Sequence, residues 1–312
     1  MDFQVKWPDN KRFAFTVFDD TDLTTLKNGP VLYRYLQDLG IRTTKSVWPL
    51  RGDQIPVIGG ATCEEPDYLN WVQHLQRLDY EIALHCVAYH TSTRDQVRQG
   101  IDRFRELFGH FPKAHANHEG CFEGIYWGDA RLSGWHRWAY LGLHRFKRAG
   151  AFKGHVPDSN LFWGDICQEH VDYVRNFVFL DINTLRAAPY MPYYDPGRPY
   201  VKSWFASSEA PNLDAFNKLL AEKNQDRLEA EGGACIVYTH FGKGFVENGR
   251  VNSRFKHLMN RLSRKNGWFV PVSTLLDYLR DQHGGVHTLT NRERARLQTR
   301  WMVDKLKLGG TS

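Results

Sequence analysis

A chain of 312 residues, 42% hydrophobic and 24% charged, has enough apolar surface for a sizeable core, which excludes the disordered and fibrous classes. Its length suits two average domains or one α/β barrel. Lys and Arg number 41 against 35 Asp and Glu, a net charge of +6, and no apolar run approaches the ~18 residues of a membrane span. Arg12 to Phe18 reads as a strand, and a helix near Val31 to Leu39 stops at Gly40. Thr43 to Val47 suits a second strand. Asp67 to Leu78, with Leu69, Val72, Leu75 and Leu78 at helical spacing, suits a second helix. Glu81 to His85 is a short buried strand. Ser92 or Thr93 caps a helix that carries Val97, Ile101, Phe104, Leu107 and Phe108 on one face and ends at Gly109. Lys113 to Asn117 is the next strand.

From about Gly120 to Tyr200 the pattern loosens, and Pro189 to Pro199 reads as a loop. Order returns with a helix over Leu213 to Ala230, a strand at Ala234 to Thr239 and a helix near Ser253 to Ser263. A strand at Trp268 to Val270 and a helix from Thr274 to Leu279 follow. The alternation predicts an α/β fold with a mainly parallel sheet, whose ligands gather at the C-terminal strand ends. Residues 1–285 are expected to form the body and 286–312 a basic helical tail. That tail carries Arg292, Arg294, Arg296, Arg300, Lys305 and Lys307 against Glu293 and Asp304, and residues 290–308 are read as a contact for a membrane surface or a partner chain. A solvated helix packed on the body is the plainer alternative. There is no nucleic-acid-binding motif. The opening residues show neither a secretory apolar stretch nor a cleavage site, so a cytoplasmic protein is expected. The five cysteines (Cys63, Cys86, Cys121, Cys167, Cys235) are widely spaced and fit neither a zinc ribbon nor a disulfide framework. They are expected to be buried small apolar residues.

Chemistry-bearing residues recur at the predicted strand ends. The first strand runs into Asp19, Asp20 and Asp22, carboxylates that repel one another unless something positive binds them. The third ends at His85, with His90 five residues on, where neutral imidazoles can ligate a divalent cation. A late strand ends at His240, a residue type suited to proton transfer near neutral pH. The following Gly-Lys-Gly lacks the glycine and hydroxyl of a phosphate loop.

These segments together resemble the polysaccharide deacetylase (NodB-homology, carbohydrate esterase) family over roughly residues 12 to 280. Thr16-Val17-Phe18-Asp19-Asp20 is similar to its T-F-D-D motif, His85 with a displaced His90 to its H-S/T-x-x-H motif, and Val237-Tyr238-Thr239-His240 to its L-x-H motif. The resemblance implies a distorted (β/α) barrel of seven strands. It also implies Asp19 as general base, His240 as general acid, and Asp20, His85 and His90 as ligands of a divalent metal, Zn2+ foremost. The implied reaction is removal of an N-acyl group, usually acetyl, from an amino sugar or a surface-polysaccharide precursor. His115 to Gly120 stands where the family has R-x-P-x-G but lacks its Arg and Pro. The Arg that orients the base is therefore unassigned, with Asn117, His118 or a distant Arg to replace it. Asn117, His118, Glu119 and Trp163 are assigned to the substrate, and a backbone N–H near Glu119 or Gly120 to the oxyanion. Asp181 is a candidate for the carboxylate that tunes the acid His. Trp127, Trp135, Trp138, Trp163 and Trp204 offer rings for sugars, although rings of this kind also fill cores. Two rival readings stand beside this one. Without the family's Arg, the chain would be a carbohydrate-binding protein devoid of catalysis. Alternatively, Asp20-Thr21-Asp22-Leu23-Thr24 matches the D-x-D-x-T motif of haloacid-dehalogenase-like phosphatases, with Asp20 as nucleophile and Asp22 as acid and base.

Overall fold

The computed structural model describes residues 5–147 and 149–308. Its strands are β1 (Phe13–Asp19), β2 (Thr44–Val47), β3 (Glu81–Leu84), β4 (Ala114–His115), β5 (Tyr173–Phe179), β6 (Tyr193–Tyr194), β7 (Ser203–Glu209) and β8 (Ala234–Thr239). Beyond them lie the β9–β10 hairpin (Val246–Glu247 and Arg250–Val251), β11 (Gly267–Phe269) and β12 (His287–Thr288). β1 pairs in parallel with β2 and with β8, and the parallel pairs β2–β3, β3–β4, β4–β5, β5–β7 and β7–β8 complete the circuit. The result is a closed barrel of seven parallel strands, distorted by additions. β11 pairs with the first half of β1, β6 runs antiparallel to β7, and β12 joins β6. Every residue of β1, β5, β7 and β8 is buried, as parallel strands with side chains on one face and helices on the other must be.

The helices are α1 (Gly29–Asp38), α2 (Pro66–Arg77), α3 (Arg94–Phe108), α4 (Gly134–Leu143), α5 (Gly164–His170), α6 (Thr184–Ala187), α7 (Leu213–Leu219), α8 (Glu222–Ala230), α9 (Ser253–Ser263), α10 (Val272–Gln282) and α11 (Asn291–Leu308). α3 shows how closely local chemistry sets the bounds. Thr93 and Gln96 form a reciprocal capping box at its start, and Gly109 ends it at φ 79°, in the left-handed region. The helix expected over Leu213 to Ala230 is instead two helices, broken at Leu220 and Ala221. Side chains take over the carbonyls released there: Asn224 Nδ2 donates to Lys218 and Leu219, and Gln225 Nε2 to Leu220. The stretch expected to be irregular contains α4, α5, β5 and α6.

α11 packs on β5 and α4 and buries Leu297 and Trp301. Three of its basic side chains turn onto the body: Arg294 to Asp195 at 2.6 Å, Arg300 to Asp181 at 2.8 Å and Lys305 to Glu209 at 2.9 Å. No helix among the described residues is long and apolar enough to cross a membrane.

Candidate metal centre

Parallel closure brings the C-terminal ends of all seven strands to one rim. Successive strand residues face opposite sides, so the adjacent aspartates at the end of β1 part company. Asp19 turns outward to α1 and β2. It accepts hydrogen bonds from the Tyr33 hydroxyl (2.9 Å) and the Phe241 backbone N–H (2.8 Å), and it pairs with Lys45 Nζ at 3.0 Å. Burial raises the Asp19 carboxyl above its ordinary value against the pull of Lys45 and these donors. The residue expected as base is thus a tether joining β1, α1, β2 and the loop after β8.

Asp20 faces the barrel. Arg175 of β5 grips both its oxygens, at 2.8 and 2.6 Å, and the guanidinium lies 4.3 Å from the Tyr238 ring centroid and 5.1 Å from that of Phe18. Burial alone would raise the Asp20 carboxyl, but Arg175, with His85 and His240, holds the group below its ordinary value. The β5–β7 register shifts between Arg175 and Val178, so a bulge lies beside the residue that must reach across the barrel. A distant Arg therefore stands where the local motif offers none.

The carboxylate that meets the histidines is Asp22. Asp22, His85 and His118 each offer a ligand atom, all within 4.8 Å of one another, and all three residues are buried. Asp22 Oδ1 lies 3.2 Å from His85 Nε2 and 3.5 Å from His118 Nε2. His85 Nδ1 donates to the Ala116 carbonyl at 3.0 Å, which turns its Nε2 towards Asp22. His118 Nε2 is buried without a hydrogen-bond partner. Burial, reinforced by neighbouring His85, pushes His118 down to about 4, so it is neutral, as a ligand must be. One carboxylate and two imidazoles, one with an orphaned nitrogen, fit a divalent cation.

Asp22 is set by backbone as much as by side chains. Leu23 adopts φ 58°, and Gly242 packs so tightly that an added Cβ would come within 2.5 Å of the Asp22 carbonyl oxygen. On the far side of Asp22, Oδ2 meets His240 Nε2 at 3.2 Å and Lys243 Nζ at 3.5 Å. His240 Nδ1 donates to the Pro211 carbonyl at 2.7 Å. Burial opposes ionisation of Asp22, yet its bonds to His240 and His85 hold it well below the usual carboxylate range. Trp48, just past β2, walls the site, with its ring centroid 5.5 Å from that of His118 and 6.0 Å from that of His85.

The structure places His85, His240 and Asp20 at this rim and brings Asp22 and His118 to them, where Asp20 and His90 had been the expected partners of His85. His90 sits apart: its Nε2 accepts from the Asp53 backbone N–H at 3.0 Å and its Nδ1 donates to the Thr91 carbonyl at 2.8 Å. Both ring nitrogens are thus committed to local loops. Asn117 spends its amide on Ile125, accepting from its N–H at 2.7 Å and donating to its carbonyl at 3.1 Å. Trp163 is buried and donates to the Glu123 carbonyl, and Trp204 is equally buried, while Trp135 and Trp138 are exposed on α4. Glu119 is exposed, and the Gly120 N–H points at His118 Nδ1. Asp181 accepts from Arg186, Arg227 and Arg300, and the Nδ1 of His240 meets Pro211 instead. A cleft of about 1230 Å3 lies around Gly232 and Gly233 at the start of β8, away from the triad. The triad is the better guide to chemistry, because that cleft gathers no comparable ligand set. Arg175 gave only a weak signal in the sequence, a lone Arg beside Asn176 in the mostly apolar run Tyr173–Phe179.

No protein-family model matches the chain, and no curated protein matches it. Solved structures do. A Mycobacterium smegmatis protein assigned as a polysaccharide deacetylase shares 14% identity, covering 92% of this chain and 97% of its own, with a TM-score of 0.50. The allantoinase Puue shares 12% identity over 91% of this chain and 95% of its own, at 0.49. A Pseudomonas aeruginosa PAO1 protein, also assigned as a polysaccharide deacetylase, shares 11% over 89% and 94%, at 0.48. At such identities likeness speaks for fold alone, and on the first of these structures the chain has the polysaccharide-deacetylase fold.

Proposed function

We propose that the protein is a metal-dependent amidohydrolase that removes an N-acyl group, acetyl foremost, from an amino sugar or a surface-polysaccharide precursor, with Zn2+ as its cation. The observation that carries this reading is the buried Asp22–His85–His118 set beside the Arg175-held Asp20 and across from His240. A bound divalent cation at such a site supplies Lewis acidity to a carbonyl oxygen and to water. Asp20 accepts the proton of the attacking water. Arg175 keeps Asp20 ionised and fixed, and its carboxylate retains lone pairs beyond the two facing the guanidinium. His240 delivers a proton to the departing amine. Asp22 and the imidazoles of His85 and His118 would hold the cation, and Trp48 limits the access of bulk solvent.

The test is release of acetate or formate from a panel of N-acylated amino sugars, free, nucleotide-linked and polymeric, with and without a chelator. Turnover is expected to vanish on chelation and with Asp22→Asn. It should fall about 10²- to 10⁴-fold with Asp20→Asn or His240→Gln. His90→Ala should leave turnover within about a factor of three of wild type, in line with the small effect of changes away from the reacting groups. Chelator-insensitive turnover, or full activity in Asp20→Asn, would sink the assignment.

A further inference from the structure

A second cluster of ligand-type atoms lies behind His118. Cys86 Sγ, Cys121 Sγ and a Glu123 carboxylate oxygen all fall within 4.8 Å of one another, and all three residues are buried. Chain geometry holds each of them there. Cys86 follows His85 in a left-handed conformation, φ 56°, that few non-glycine residues adopt, and its sulfur accepts from the His118 backbone N–H at 3.3 Å. Cys121 closes the turn from His118, its N–H donating to the His118 carbonyl at 3.1 Å. The Glu123 backbone is sealed by the Trp163 indole, which donates to its carbonyl, and by Gly154, where an added Cβ would collide with that oxygen.

Glu123 is the anomaly. It is 1% exposed, and its carboxylate oxygens make no well-formed hydrogen bond, with only weaker contacts from the backbone N–H groups of Ser92 and Glu123 and from the Cys121 thiol. A buried carboxyl so weakly held is costly, and one aimed at two thiols calls for an explanation. Thiolate and carboxylate oxygen together suit thiophilic divalent ions. We propose that Cys86, Cys121 and Glu123 form a second cation site, distinct from Asp22–His85–His118, for a thiophilic divalent ion such as Zn2+ or Cd2+. On entry of the ion both thiols and the carboxyl group release their protons to solvent, and no electron transfer is involved. His118 separates the two sites. Its Nε2 faces Asp22, and its Nδ1, which accepts from the Gly120 N–H at 3.3 Å, lies 3.6 Å from Cys121 Sγ.

The test is a Cd2+ titration of the full chain after phosphine reduction and removal of metal by chelation. Wild type is expected to bind two equivalents, with the ultraviolet thiolate-to-cadmium band rising with one of them. Cys86→Ser, Cys121→Ser and the near-isosteric Glu123→Gln should each lose one equivalent. The two serine variants should also lose the band, and Glu123→Gln should weaken it. Asp22→Asn should lose the other equivalent and keep the band, which separates this site from the proposed catalytic one. Absence of a thiolate band in wild type at any Cd2+ loading overturns the proposal, and that result needs no variant to fold. Persistence of the band in both serine variants overturns it as well, as does a Cys86–Cys121 disulfide in the freshly purified chain.

Discussion

Arg175 and Asp20 lie 155 positions apart in sequence, yet they form a two-pronged ion pair with both side chains out of solvent. A buried pair of this kind contributes little net stability, but removing one partner strands a charge. Arg175→Met should therefore cost about 3–5 kcal/mol in chemical denaturation, and the double variant Asp20→Asn/Arg175→Met should regain a large part of it. A loss under about 1 kcal/mol in the single variant would show that the pair is not desolvated as described. Residue types and the rim position were readable in the sequence: a run of carboxylates, His85 and His240 at strand ends, and His118 beside another. The roles were not, because facing depends on where β1 ends. The strand runs one residue past the expected Phe18, which turns Asp19 outward, and the left-handed Leu23 then swings Asp22 back to the histidines.

Among elements, amphipathic helices and apolar strands were legible within a few residues, since α2 and α3 carry one apolar stripe each and β8 is nearly all apolar. β7 was not. Its Ser207, Ser208 and Glu209 are buried, so neither alternation nor an apolar run marks it. β5 is disguised in the same way by Arg175 and Asn176. The excursion between β4 and β5 is held partly by His155, whose ring lies 4.4 Å from that of Tyr126 and whose Nδ1 accepts the Tyr126 backbone N–H at 3.3 Å. Burial, helped by Arg198, pushes His155 down to about 4. Its folded value lies below its unfolded value, so the stability it contributes is present above about 6.5 and is lost as pH falls through about 4. On acidification from pH 7 to 4, wild type should lose more denaturation midpoint than His155→Gln does. Equal losses in the two proteins would exclude this contribution.

At the scale of the whole molecule, the basic C-terminal helix is clamped to the barrel by Trp301, Leu297 and ion pairs to Asp195, Asp181 and Glu209. Trp301→Ala should lower the stability of the whole fold by about 3–5 kcal/mol in a single cooperative transition. Separate melting of the helix would contradict this integration. The seam that shuts the barrel joins β1 to β8 along Ala14 to Asp19 and Ala234 to Thr239. Those partners are separated by 220 positions, among the more remote pairings a chain of this size can make. During synthesis, then, the first strand must wait with one edge exposed until most of the polypeptide has been made. His240 directly follows the strand that seals that edge. Completion of the barrel and assembly of its proton-transfer machinery are therefore one late event in the life of each new chain.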